Sequence, residues 1–242
     1  ATSENIHTGP AHNPWDTQRV TGGSSGGSGS SVAAGQVMAA LGTDTGGSVR
    51  IPSTLCGIVG FKPTFGRISR HGVYPLSWSF DTVGPMTRTV RDAALVMNAI
   101  AGHDLKDPFS SREPVPDFTE TLGQEIKGLR AGIPKEHFFE ILDPESESAL
   151  KKGVKVLEGI GVSVEEVSIP LLENVLSIGQ AISGPEAAEI HLDNLRHHSD
   201  QMDPQVSSRL ATGLLQPAIH YVRGQRARRA FSRQLEATFK NF

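Results

Sequence analysis

Residues 21–50 read TGGSSGGSGSSVAAGQVMAALGTDTGGSVR. Positions 22–31 hold only Gly and Ser, the composition of a flexible tether. Two features argue against a tether. The tract runs into an apolar segment with no polar margin. A second glycine pair, Gly46-Gly47, then precedes Ser48, twenty-four residues after Ser24. Glycine supplies positive φ and lets backbone approach a ligand closely. Successive N–H groups in such a turn form an anion-binding concavity. A serine there is a candidate nucleophile with its own oxyanion donors beside it. No Gly-Lys-Ser/Thr follows the glycines, so the tract is not a P-loop.

The rest of the chain fits a globular protein. It has 242 residues, 37% hydrophobic and 20% charged, enough apolar material for a core. A net charge of −3 gives no global field toward nucleic acid or membrane. Cys56 is the only cysteine, so no internal disulfide framework exists, and a reducing cytoplasm is the expected compartment. No apolar run approaches the ~18 residues of a membrane span. Residues 1–16, ATSENIHTGPAHNPWD, read like the middle of a domain, and the end of the chain breaks off inside a helical pattern. The expectation is a piece of a longer protein.

Residues 1–20 read as loop. A short small-residue helix is expected within SVAAGQVMAALG, running toward a buried strand at Val37–Gly42. A further short helix is expected before a strand at Ile58–Lys62. Thr89 is the expected N-cap of a helix that Gly102 ends. Residues 104–128 read as a crossing loop. LRAGIP and VSVEEVSI read as strands around an amphipathic helix in DPESESALKKGVKVLEGIG, whose acidic first turn suits its dipole. From Leu171 the pattern is mostly helical. Alternating strands and helices predict an α/β domain. Cys56 reads as a small buried residue. His191, His197 and His198 lack metal-site spacing, and Arg223, Arg226, Arg229 and Arg233 read as a solvated helix face, with RNA binding the sharper alternative. Trp78 and Phe80 read as core aromatics.

The paired motifs GGSSGG and GTDTGGSVRIP, together with NPWD, GRISRHGV and DTVGPMTRTVRDAAL, resemble the amidase signature family. The resemblance covers the chain as one partial domain, tightest in a signature core at 1–103 and looser over 129–242. It implies a mixed β-sheet core covered by helices on both faces. It implies hydrolysis of a carboxamide C–N bond without cofactor or metal, with Ser48 as nucleophile and Ser24 as relay serine behind a cis Gly23–Ser24 peptide. Backbone N–H groups of Thr45, Gly46, Gly47 and Ser48 are the implied oxyanion hole. Gly23, Ser25, Asp44 and Arg50 support the turn. The family's base is a lysine several tens of residues upstream of the relay serine. None of the 23 residues before Ser24 is Lys, and the first lysine, Lys62, matches a different position. The base is therefore expected upstream. Two alternatives stand beside the amidase reading: a glutaminase subunit of a tRNA-dependent amidotransferase, and a non-catalytic module retaining the fold. The expected partner is a small amide substrate, with a homo-oligomer or partner subunits as further possibilities and nucleic acid or membrane disfavoured.

Overall fold

The computed structural model describes residues 2–139 and 142–242. The chain divides into two compact units, one formed by Ala1–Leu122 with Ser183–Leu215, the other by Gly123–Ile182 with Gln216–Phe242. Strands and helices mix in both, as the α/β reading expects, but the strands fall into three small sheets.

The first unit opens with a hairpin where the sequence pattern predicts loop: β1 (His12–Asn13) pairs antiparallel with β2 (Asp16–Val20). Asn13 bends the chain there, since its Oδ1 accepts from the Trp15 N–H at 3.0 Å, an Asx-turn that needs no glycine. Helix α1 (Gly26–Ala33) begins inside the Gly/Ser tract, five residues before the tract ends at Ser31. Gly and Ser are poor helix formers, so packing decides. A Cβ on Gly29 would lie 3.2 Å from Met86 Cε and 3.4 Å from Pro52. The tract is a close-packing surface.

Strand β3 (Ala39–Asp44) follows, then α2 (Arg50–Leu55) and the short β4 (Val59–Gly60). Strand β5 (Thr82–Thr87) is buried along its whole length. It sits between β3 and β4, antiparallel to both, with Asp44 opposite Thr82 at one end of the β3 ladder and Ala39 opposite Thr87 at the other. Helix α3 (Val90–Ile100) starts where Thr89 predicts, with the Thr89 hydroxyl accepting from the Asp92 N–H. Its Met97 packs with Ile68 and Val83. Cys56 is fully buried, and burial pushes its thiol pKa up, which fits an inert core residue.

In the second unit β6 (Arg130–Pro134) and β7 (Ser163–Val167) pair in parallel, which requires a crossover. Helix α4 (Pro144–Gly159) supplies it. Asp143 caps α4 by accepting from the Glu145 and Ser146 N–H groups at 3.0 Å each. Helix α5 (Val175–Ile190) contributes to both units, and α6 (Leu192–His197) and α7 (Pro204–Leu214) belong to the first. Helix α8 (Ala218–Phe239) ends the chain, with Arg223, Arg226, Arg229 and Arg233 exposed. Its Gly224 meets α5, where an added Cβ would stand 3.1 Å from Ala181 and Ile182.

Met86 is fully buried in β5 beneath both α1 and β3. Met86→Ala removes that wedge and is expected to destabilise the protein by about 2–5 kcal/mol, read as a lowered urea midpoint. A loss under about 1 kcal/mol would show that the Gly-lined contact is not a rigid core.

Candidate active site

The two serine motifs meet at the open end of β3. The Gly23–Ser24 peptide bond is cis, as the resemblance implies. It is flanked by Gly22, whose φ is +72° and where an added Cβ would lie 2.9 Å from both Ile51 and Leu55. Only glycine satisfies both conditions. Ser3, which no motif in the sequence marks, ties this bend down. Its Oγ lies 2.9 Å from the Gly22 carbonyl and 3.0 Å from the Ser24 carbonyl, sharing one proton between them, and accepts from the Gly26 N–H at 3.0 Å.

Ser25 couples the bend to the second motif. Its N–H donates to the Ser48 carbonyl at 3.2 Å. Its Oγ accepts from the Thr43 N–H at 3.2 Å and donates to the Thr43 carbonyl at 3.3 Å. Ser24 and Ser48 are thereby neighbours, with Ser24 exposed and Ser48 half-buried. Their hydroxyls make no hydrogen bond to each other or to any other group among the described residues.

The turn carrying Ser48 is built around Asp44. The Asp44 side chain is fully buried. Its Oδ1 accepts from the Gly47 N–H at 2.7 Å and Arg50 Nη2 at 2.8 Å, and its Oδ2 accepts from Arg50 Nε at 2.9 Å, Val49 N–H at 3.2 Å and Arg50 N–H at 3.3 Å. Burial alone would raise the Asp44 pKa, but the Arg50 guanidinium and the N–H groups of Gly47 and Val49 outweigh it and leave the carboxyl below its ordinary value. The Asp44 bond in turn raises Arg50.

Within the expected donor set, the Gly47 N–H is the one that already has an acceptor, Asp44 Oδ1. Its glycine is still required: φ is +124°, and an added Cβ would stand 2.7 Å from Ile51 Cδ1. The N–H groups of Thr45, Gly46 and Ser48 have no acceptor among the described residues. Thr45 is also gripped through its side chain, whose hydroxyl donates to Asp81 Oδ1 at 2.5 Å.

Lys62 approaches this charge cluster. Burial first and the Arg50 charge second lower its pKa, while Asp44 opposes them. Its ammonium donates to the Pro63 carbonyl at 2.8 Å. An open apolar groove between α6 and α7, lined by Leu192, Leu195, Ala211 and Leu214, shares no residue with the serine motifs. Among the described residues no cluster of three or more His, Cys, Asp or Glu side chains is arranged to hold a metal ion. No helix among them is long and apolar enough to cross a membrane.

The family model described as Amidase matches residues 1–241. The chain belongs to the amidase family. The A-subunit of the glutamyl-tRNA(Gln) amidotransferase of Heliobacterium modesticaldum is 52% identical over 176 residues, covering 73% of this chain and 36% of that relative. A solved structure described as part of a vestigial protein complex bearing on the origins of an s-triazine catabolic enzyme superposes with a TM-score of 0.94 at 40% identity, over 100% of this chain and 52% of that one. A bacterial aryl acylamidase of the amidase signature family gives 0.86 at 28% identity, over 100% of this chain and 51% of that one. The chain thus spans about half the length of these solved amidase-family chains and a third of that relative. The mixed α/β fold is the one these structures share.

The Asp44–Arg50 pair carries a pH signature. A carboxyl whose folded pKa lies below its unfolded value of about 3.9 stabilises the fold fully above that value and loses the contribution as pH falls through the folded pKa. Asp44→Asn is expected to lower stability at pH 7 by roughly 1.5–3 kcal/mol, the range for hydrogen bonds to a charged group. The gap between wild type and variant should narrow as pH drops below about 4. Urea midpoints measured for both proteins between pH 7 and pH 3 test this, and a gap independent of pH would contradict it.

Proposed function

We propose that the protein of which this chain is part hydrolyses a carboxamide C–N bond through an acyl-enzyme on Ser48. The observation that carries the reading is the Asp44-centred turn, which leaves the N–H groups of Thr45, Gly46 and Ser48 without acceptors beside the serine hydroxyl. Ser48 Oγ attacks the amide carbon, a C–O bond forms, and the carbonyl electrons move to oxygen. Preorganised donors at that oxygen are the largest single contribution in many acyl-transfer enzymes, each worth ~10²–10³ in rate. The Ser48 proton passes to Ser24 as Ser24 gives its own to the base. The relay then returns a proton to nitrogen as the C–N bond breaks. Water, deprotonated by the same route, releases the acid and restores Ser48.

In this reading the base is a lysine upstream of Ser24, as the family resemblance implies. It must be neutral to act, which burial or hydrogen bonding achieves by lowering its pKa. The expected substrate is a small amide, and the expected compartment is the cytoplasm, in keeping with a lone buried cysteine. The relative at 52% identity favours a second reading, a glutaminase subunit that releases ammonia from glutamine and works beside partner subunits.

The test uses the full-length protein and a fluorophosphonate probe. Label is expected on the peptide containing Ser48, and Ser48→Ala should abolish both labelling and amide hydrolysis. Ser24→Ala should be severely slowed yet retain some label, since water can replace a relay hydroxyl. Wild-type labelling of Ser48→Ala, or label mapped to Ser24 or Cys56, would refute the assignment. Ammonia release from glutamine that rises with a copurifying subunit would select the second reading.

A further inference from the structure

Thr45 opens the Ser48 turn at the point where the sheet ends. The last rung of the β3–β5 ladder joins Asp44 and Thr82. One residue further, Thr45 and Asp81 stand opposite each other with no backbone pairing. A side-chain bond takes its place, the Thr45 hydroxyl donating to Asp81 Oδ1 at 2.5 Å. Asp81 is itself immobilised. Its Oδ2 accepts from the N–H groups of Leu76 at 2.7 Å and Ser77 at 2.9 Å. The Ser77 hydroxyl donates to Glu186 Oε2, which also accepts from the Ser79 hydroxyl at 3.0 Å and the Ser79 N–H at 3.3 Å. Asp81 is 5% exposed, Ser77 0% and Glu186 1%, so the middle of this chain of bonds is buried, and it is anchored on helix α5.

We infer that Asp81, held by Leu76 and Ser77 and backed by Glu186, is a positioning residue that fixes the Thr45 peptide as an oxyanion donor. The inference rests on the reading of Ser48 as nucleophile. The Thr45 N–H belongs to the Asp44–Thr45 peptide, whose Asp44 side is held in the last β3–β5 rung, while the flexible Gly46 and Gly47 that follow give Thr45 no support from the turn side. Asp44 holds the far side of the turn, through Gly47, Val49 and Arg50. Among the described residues, none of those bonds reaches the Thr45 side chain. The Asp81 bond is the constraint on the near side.

The experiment compares Thr45→Val, Thr45→Ser, Asp81→Ala and Ser48→Ala in the full-length protein, with near-UV circular dichroism as the check on folding. Thr45→Val keeps the shape and removes the hydroxyl. It is expected to lower kcat by about 10–100-fold with KM within about threefold, the size of effect that misplacing a catalytic group produces. Thr45→Ser, which restores the hydroxyl, should recover at least about tenfold over Thr45→Val. Asp81→Ala should match Thr45→Val, and the double variant should be no slower than the slower single variant, because the two act as one unit. A boronic acid that adds to Ser48 Oγ, its boron taking the negative charge, should lose affinity by the same factor as kcat/KM. General loosening of the fold would not track the two together.

If Ser48→Ala is inactive while folded Thr45→Val turns over within about twofold of wild type, the inference is overturned and the nucleophile assignment stands. If Ser48→Ala retains wild-type hydrolysis, both fall. If Asp81→Ala fails to fold, Thr45→Val and Thr45→Ser still decide the matter.

Discussion

A buried carboxylate organises this protein. Asp44 sits at the end of β3 with its side chain wholly removed from water. An unpaired charge there would be strongly unfavourable, so the chain wraps itself around it. Gly47, Val49 and Arg50 each turn a backbone N–H inward, and the Arg50 side chain closes on both oxygens. The geometry of the turn follows from that requirement. Satisfying Asp44 forces Gly47 into a left-handed conformation and consumes its N–H. The N–H groups on either side are left without acceptors. The carboxylate thus creates the donor array indirectly, by dictating which amides face in.

The Gly/Ser tract meets a different constraint, that of distance. The chain must bring Ser24 beside Ser48 while α1 lies against Met86 and Pro52. Any side chain at Gly22 would strike Ile51 and Leu55. Glycine and serine let the backbones approach, and the serine hydroxyls then satisfy the polar groups that close approach exposes. Ser25 does so at Thr43, and Ser28 donates to the Leu41 carbonyl at 2.9 Å. A stretch with the composition of a linker is therefore among the most tightly constrained parts of the fold.

These two constraints explain which features are legible in the sequence. The helix at Val90–Ile100 and the βαβ segment around Pro144–Gly159 carry their signals locally, in Thr89, Asp143 and the apolar period. They fall where the pattern predicts. Helix α1 starts earlier than its pattern suggests because packing against residues distant in sequence overrides low propensity. The β1–β2 hairpin bends at Asn13-Pro14, where the turn signal falls, but its strands escape because β1 is only two residues long and β2 is exposed throughout, so neither shows a period-two pattern. Gly47 looks like a donor because the motif marks the turn but not which of its amides Asp44 takes. Ser3 escapes for a related reason: it meets the bend from 19 residues away, and an isolated Ser carries no sign of such a contact. Asp81 opens the DTVGPMTRTVRDAAL stretch, but nothing in that stretch tells that its carboxylate meets Thr45 across 36 residues.

The two halves of the proposed chemistry also separate physically. Donors fixed in a turn lower the barrier by meeting charge as it develops, at ~2.7–4 kcal/mol per donor. A general base acts by removing a proton and contributes ~10²–10⁴ in rate. The first contribution depends only on residues within one compact unit: Thr45 and Ser48 on the turn, Asp44 and Asp81 on either side, Glu186 behind. None of these reaches outside the chain for its partner. The second depends on a base within proton-transfer reach of Ser24. The two contributions make different demands on the fold. The fold fixes the dipoles in advance, because they cannot reorganise during the reaction without losing their advantage. The proton path needs only partners at hydrogen-bond distance, about 2.6–3.2 Å apart.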